Sequence, residues 1–307
     1  MLAPFTTFYA SHMTLINILG INCLLALSLY LTLSCNMLSL ANAAFMGIGA
    51  YSAALLTVRG HWPYWFTLAA GAIAAGVIAV PLGLPILRLR GVYLAIVTIA
   101  FGEVMRILAT ILPFTGGAQG LVGIPVKTHW QEILLALIVV IYVLWRLQHS
   151  RAGRAILAIR HDEVAAAGVG INVGRFKLAA FVGGAYVAGL AGGMLAHMTR
   201  IVEPRDFGFE QAVQILMFVV VGGYTTFWGS LLGALLLTLL PEVLRSVRTA
   251  QDVAVLRQVS TGLVLLFVIL FAPNGLFHVL QSFRRRHPSA HHDSGGQTTV
   301  PEVPVLP

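Results

Sequence analysis

The chain has 307 residues, a mean hydropathy of +0.87 and only 10 % charged residues. Soluble domains carry roughly a quarter charged residues, so this composition excludes an ordinary soluble protein and predicts one that crosses a membrane several times. The net charge of +8 could indicate nucleic-acid binding. The basic residues, however, lie in short loops between apolar runs, and we therefore expect membrane lipid and no nucleic acid around this chain.

The first half of the chain consists of apolar segments with little between them. Residues 15–35 carry no charge, and they are long enough to cross a hydrocarbon core of roughly 30 Å. This run is also too long for the apolar region of a signal peptide, so we expect no cleaved leader. Residues 37–58 are rich in small side chains, which allow membrane helices to approach closely. Further spans are predicted at 64–87, 91–112, 132–147 and 178–198.

Two features inside these spans affect their packing. Pro81 and Pro85 should kink or end the third span, because proline cannot donate a helical hydrogen bond. Gly189 and Gly193 have the G-x-x-x-G spacing in the sixth span, which predicts a close contact with a neighbouring helix.

Residues 211–241 contain no charge, and as one helix they would measure about 46 Å. That length is too great for one straight span and too small for two full ones. The glycines Gly222 and Gly223 mark a break, so we expect two short or partly re-entrant segments at 211–221 and 228–240. Irregular backbone at this depth must be buried in protein or line a water-filled cavity.

A last span is predicted at residues 258–280, which gives about nine transmembrane or partly re-entrant helices. The fold class is therefore an all-α polytopic membrane protein, with one transmembrane domain over 1–283 and a disordered cytoplasmic tail over 284–307. If the loop 146–177 is placed inside, eleven Lys and Arg lie inside and seven outside. The positive-inside rule then places the N-terminus outside and the C-terminus in the cytoplasm.

The long polar segment 146–177 interrupts the apolar pattern. It holds six basic residues and only two acidic ones, Asp162 and Glu163. A short helix is predicted at 155–168, ended by the glycines Gly168 and Gly170. A plain positive loop is the alternative, but the embedded helix favours a segment that docks another protein.

Motifs for catalysis or nucleotide binding are absent from the sequence. There is no G-x-x-x-x-G-K-[ST], H-E-x-x-H or G-x-S-x-G, so we predict no catalytic residue, no metal site, and no cofactor or ATP bound by this chain. The glycine-rich stretch at 115–120 is interpreted as a flexible outer loop or a helix break.

Glu103 and Arg106 are the most conspicuous charges inside a predicted span. Their i, i+3 spacing allows them to pair on one helix face. Ionisable residues at membrane depth are costly and often functional, but a pair that neutralises itself and holds helices together is equally consistent with the sequence. The candidate transport pathway therefore comprises Asn42, Tyr93, Glu103 and Arg106, although a lone Asn more often bonds a neighbouring helix.

Several stretches together resemble the permease subunits of the branched-chain amino acid ABC transporter family, which includes relatives for urea and short amides. They are GRAILAIRHDEVAAAGVGINVGRFKLAAFVGGAYVAGLAGGMLAH, LSLANAAFMGIGAYSAALL, GVYLAIVTIAFGEVMRIL, TGGAQGLVGIP and VVVGGYTTFWGSLLGA. They occur in order over residues 38 to about 275. Asn42 stands where the family often has His.

The resemblance implies half of a type-II-like ABC importer in the bacterial inner membrane. Expected partners are a second homologous permease, two cytoplasmic ATPase subunits and a periplasmic substrate-binding protein, with branched-chain or related amino acids as substrate. The polar segment would hold the coupling helix, with contacts to the ATPase made by Gly153, Arg154, Ala158, Arg160, Asp162, Glu163, Ala166 and Gly168. The alternative function is a self-sufficient secondary carrier or channel for a small polar solute, with Glu103 as its coupling or filter charge.

Overall fold

The computed structural model describes residues 3–247 and residue 262 of the chain, and α-helices dominate this part. The helices before the polar segment are α1 (Ala3–Ser34), α2 (Asn42–Val58), α3 (Tyr64–Ile86), α4 (Val92–Ile111) and α5 (Trp130–Gln148). The polar segment forms α6 (Arg151–His161) and α7 (Glu163–Gly168). The remaining helices are α8 (Val173–Thr199), α9 (Phe209–Gly222) and α10 (Phe227–Val247).

Five of these helices are long and apolar enough to cross a membrane: Met13–Ser34 within α1, and α3, α4, α5 and α8. The shorter α2 is also apolar, and α9 and α10 form a pair bent by 117°. This architecture confirms the all-α polytopic prediction. Apart from residue 262, the predicted last span at 258–280 and the tail at 284–307 lie outside the described residues.

The helix α8 packs against α1, α2 and α3 in the centre of the described bundle. Small residues make this packing possible, because Gly49 of α2 lies directly against the backbone of Gly189. A Cβ atom on Gly189 would lie 2.6 Å from Cβ of Ala75 in α3. The close contact predicted from the G-x-x-x-G spacing is therefore confirmed, and it involves two neighbouring helices.

The second span differs from its prediction at the start. Residues 37–40 have no regular structure although Met37 and Ser39 are buried, and α2 begins only at Asn42. The backbone amide of Leu40 donates to Oγ1 of Thr98 in α4, at 3.0 Å. A polar side chain from another helix thus satisfies an amide that would be costly to leave unpaired inside a membrane protein.

The bundle has two ends. At the ribbon end, β1 (Leu121–Val122) pairs antiparallel with β2 (Ile201–Val202). At the α6–α7 end, the two short helices lie between α5 and α8. The 27 residues of α8 connect the two ends over about 40 Å. The glycine-rich stretch at 115–120 is a helix break built from two short 3-10 turns that lead into β1.

The last two described helices have different bounds from those predicted. The helix α9 begins at Phe209 and α10 continues to Val247, so both are longer than the predicted segments at 211–221 and 228–240. The predicted break at Gly222 and Gly223 is confirmed.

Candidate functional site

The start of α6 is fixed by a side-chain cap and a tight turn. Ser150 is the N-cap residue, and its Oγ accepts a hydrogen bond from the amide of Gly153 at 3.1 Å. A Cβ atom on Gly153 would collide with the carbonyl oxygen of Leu147 and lie 2.6 Å from that of Gln148. Only glycine therefore fits where the chain turns from α5 into α6.

The single helix predicted at 155–168 is wrong, because the chain breaks at Asp162 into two helices. The backbone of Asp162 is extended, with φ −154° and ψ 112°. Its Oδ1 accepts hydrogen bonds from the amides of Val164 and Ala165, at 2.8 and 3.0 Å. An aspartate side chain that competes for backbone amides favours a cap over a helix interior. The predicted end at Gly168 is confirmed.

Glu163 is paired with a residue of the same chain. Its Oε1 lies 2.5 Å from Nζ of Lys177 in the first turns of α8. Only 8 % of the Lys177 side chain and 17 % of the Glu163 side chain are exposed. This pair fixes the corner between α7 and α8.

Arg160 also has its contacts within the chain. Its Nη1 donates to the carbonyl oxygen of Thr225 at 3.1 Å, and its Cζ lies 4.8 Å from the centre of the Tyr224 ring. Both partners belong to the turn between α9 and α10. The predicted coupling residues Arg160, Asp162 and Glu163 are therefore all engaged inside the chain.

The other predicted coupling residues on α6 and α7 differ in how far they are buried. Arg154 and Gly168 are exposed, Ala158 is half-buried and Ala166 is buried. The sequence did not single out three exposed aliphatic residues that lie beside them. We define the α6–α7 surface as Arg151, Arg154, Leu157, Val164 and Val169. Exposed aliphatic residues on helices that do not span the membrane are a signal for a protein interface.

The intramembrane pair forms as predicted from its spacing. Nε of Arg106 donates to Oε2 of Glu103 at 2.7 Å. The other carboxylate oxygen, Oε1, accepts from the amide of Phe209 at 2.9 Å. Glu103 thus places a negative charge at the first turn of α9, where the helix dipole and unpaired amides favour it.

The two remaining pathway candidates lie apart from this pair. Nδ2 of Asn42 donates to Oγ of Ser28 at 2.8 Å, so this amide joins α2 to α1. Tyr93 is 74 % exposed at the start of α4, about 15 Å along that helix from Glu103. Their role in a pathway stays a prediction.

A buried polar cluster near the ribbon end was not predicted. His197 is fully buried, and its Nδ1 lies 2.8 Å from the carbonyl oxygen of Gly193. Because a carbonyl oxygen only accepts, Nδ1 holds the proton, and Nε2 faces Oγ1 of Thr57 at 2.9 Å. The ring of Tyr64 packs edge-on against the imidazole. The cluster joins α2, α3 and α8, and no spacing in the sequence relates its members.

Residues 11–272 of the chain match the model of a family described as branched-chain amino acid transport system / permease component. The chain belongs to this permease family. The resemblance noted in the sequence is thereby confirmed over most of the chain, and the protein is a multi-pass membrane protein of a transport family, not a member of an enzyme family.

The permease is similar to curated proteins of two kinds. It is 32 % identical, over 293 residues, to the high-affinity branched-chain amino acid transport system permease protein LivM of Escherichia coli, covering 84 % of this chain and 66 % of that protein. The LivM protein of Salmonella typhimurium matches to the same extent. The LivH protein of Escherichia coli is 30 % identical over 130 residues, which is 42 % of this chain and 41 % of LivH.

The permease spans just under two thirds of the length of the LivM relatives. No solved structure matches the chain. Among the described residues no group of His, Cys, Asp and Glu has the arrangement of a metal site.

Proposed function

We propose that this permease is one membrane subunit of an ATP-driven importer, and that its α6–α7 surface docks a separate ATPase subunit. The observation that supports docking is the exposure of Leu157 and Val164 on the two short helices and of Val169 directly after α7. Arg151 and Arg154 are exposed on the same helix as Leu157 and suit acidic residues on the partner. The sequence contains no P-loop of its own, so the energy of ATP must come from a second protein.

The remaining partners follow from the family. We propose a second homologous permease that completes the translocation pathway, two ATPase subunits, and a periplasmic protein that delivers substrate, all at the bacterial inner membrane. The names of the relatives point to branched-chain amino acids as the substrate. Urea or a short amide is the alternative substrate, and the identity of the binding protein should decide between them.

The geometry of Glu103 favours the importer over a carrier that uses this residue for ion coupling. One carboxylate oxygen faces Arg106 and the other accepts from the amide of Phe209. A coupling ion would have to displace one of these partners.

Docking can be tested with two valine substitutions of the same kind. Val164, on the α6–α7 surface, is 73 % exposed, and Val122, on the ribbon, is 62 % exposed. Each is replaced by Asp in a complex co-expressed with its ATPase and permease partners. We expect Val164→Asp to reduce the ATPase recovered with the permease about tenfold or more, because it places a charge in an apolar contact. Val122→Asp should leave ATPase recovery unchanged, and equal recovery in both variants would contradict the docking proposal.

The orientation follows from the same proposal, with the α6–α7 end in the cytoplasm and the ribbon end in the periplasm. Both native cysteines, Cys23 and Cys35, are buried, so single introduced cysteines can be labelled selectively. We expect an impermeant maleimide to label Val122→Cys in intact spheroplasts, and to label Arg175→Cys, which lies at the α6–α7 end but outside the α6–α7 surface, only after the membrane is opened. The reverse pattern would show that the orientation is wrong.

A further inference from the structure

The helix α6 and the turn between α9 and α10 are joined by one arginine side chain. Arg160 donates to the carbonyl oxygen of Thr225 and at the same time lies over the ring of Tyr224. A planar guanidinium can stack on an aromatic ring and still donate in its own plane. The compact ammonium of lysine cannot reproduce both contacts at once.

The two joined elements pack mainly against different neighbours. The helix α6 packs chiefly against α5 and α7 and only marginally against α1, whereas α9 and α10 pack chiefly against each other and against α1, with further contacts of α9 to α2 and α4. Arg160 is therefore a point where movement of α6 can reach the two bent helices directly. The sequence separation of 65 residues between Arg160 and Thr225 explains why no local pattern indicated this contact.

The helices α9 and α10 form one bent unit, and α9 is held by other helices at its start and just after its end. They are bent by 117° and approach closely where Gly222 lies against the backbone of Gly229. The start of α9 is held by Glu103 of α4, and its end leads into the turn held by Arg160. With 14 residues, α9 measures about 21 Å, so a shift at one end is carried along a short rigid rod.

We propose that Arg160 is a positioning residue that couples α6 to the α9–α10 turn through Tyr224 and Thr225. This inference rests on the proposed function, because the movement of α6 originates in the docked ATPase. In the assembled importer, closure of the ATPase displaces α6, and Arg160 draws the turn and the end of α9 with it. Arg160 thus acts within the permease, and Arg151 and Arg154 remain for the contact with the ATPase.

The test uses the complete complex with its binding protein, reconstituted in proteoliposomes with leucine as the probe. Four variants are compared: Arg160→Ala, Arg160→Lys, Tyr224→Leu and Tyr224→Phe. The measured quantity is leucine imported per ATP hydrolysed, because a purely structural role would lower both rates together. We expect this ratio to fall at least fivefold in Arg160→Ala and Tyr224→Leu and to fall measurably in Arg160→Lys. Tyr224→Phe keeps the ring that the guanidinium covers, so its ratio should match that of the unaltered complex.

The double variant Arg160→Ala/Tyr224→Leu provides a second criterion. If the two side chains act as a unit, the double variant should be no worse than either single one. Losses that multiply in the double variant would overturn the proposal.

Two further outcomes would also overturn it. One is a normal ratio in Tyr224→Leu, since the contact with the turn would then not be used; loss of the ATPase from Arg160→Ala in the same experiment would make Arg160 a docking residue. The other is a normal ratio in Arg160→Ala itself. Failure of the proposed function looks different, because the unaltered complex would then show ATP-driven import of neither leucine nor the alternative substrates, urea and short amides.

Discussion

At the scale of single residues, the ion pair between Lys177 and Glu163 dominates the corner from α7 to α8. Both side chains are mostly buried and their charged atoms are 2.5 Å apart. Burying a charge is costly unless it is paired, so loss of one partner leaves the other in an unfavourable environment. The pair also holds α7 in place beside the proposed ATPase contact, although Glu163 does not itself face outward.

Replacement of Lys177 by Met should therefore destabilise the permease by about 3 kcal/mol, the low end for buried pairs, because Glu163 keeps some exposure. Heating in detergent followed by size-exclusion chromatography measures the change as a lower midpoint of unfolding. Arg175→Met is the matched control, since Arg175 is an exposed cation two residues earlier in α8. Adding Glu163→Met to Lys177→Met should recover part of the loss. If the double variant were less stable than Lys177→Met, the pair would not be the cause.

The charged residues of α6 and α7 also show how far the sequence could predict the site. The family pattern pointed to the segment and to candidate residues within it, and of these Arg154 and Gly168 are exposed. It could not reveal that Glu163 pairs with Lys177 across a bend, or that Arg160 reaches a turn 65 residues away. Such contacts depend on how helices pack in space, and single-sequence spacing contains no information on that packing.

At the scale of elements, one helix break was predictable from the sequence and two other helix boundaries were not. The glycine pair at Gly222 and Gly223 correctly predicted the break between α9 and α10. The break at Asp162 was missed because its neighbours favour helix. The extended backbone of Asp162 ends α6, and its side chain caps the start of α7. The late start of α2 depends on Thr98 of another helix, which no local pattern could indicate.

The start of α9 provides the next prediction, because its cap comes from a different helix. Gly208 offers no side chain, and Oε1 of Glu103 accepts from the amide of Phe209 instead. Glu103→Ala should remove this cap, at a cost of about 1 kcal/mol, and should also leave Arg106 without its partner. Hydrogen exchange of the first amides of α9, measured by mass spectrometry, should be faster in this variant.

Glu103→Gln is the informative comparison, because its amide oxygen can still accept from Phe209, while the charge is removed and the NH2 group cannot accept from Arg106. We expect hydrogen exchange in α9 close to that of the unaltered protein, and leucine import within about twofold of it. A glutamine variant with a protected α9 but no import would instead assign Glu103 to the transport pathway.

At the scale of the whole molecule, small residues determine how closely the central helices pack. The runs of glycine and alanine in α2 and α8 were visible in the sequence, and they correctly indicated close helix contacts. Which helices meet was not predictable, since the same small residues can serve any neighbour. In the structure Gly189 lies between Gly49 of α2 and Ala75 of α3, so one residue fixes the spacing of three helices.

The same substitution at two glycines tests this arrangement. Gly189→Ala adds a methyl group 2.6 Å from Cβ of Ala75, and α8 cannot move away without separating from α2 or α3. Overpacking of this kind costs about 1–3 kcal/mol, and we expect a clearly lower midpoint of unfolding in detergent.

Gly102→Ala in α4 is the control, because a Cβ there meets nothing within 4 Å. Alanine at that site should leave the midpoint unchanged or raise it slightly, since alanine favours helix over glycine by up to about 1 kcal/mol. Equal midpoints for the two variants would show that the central contact is looser than the distance implies, and that helix propensity alone governs both positions.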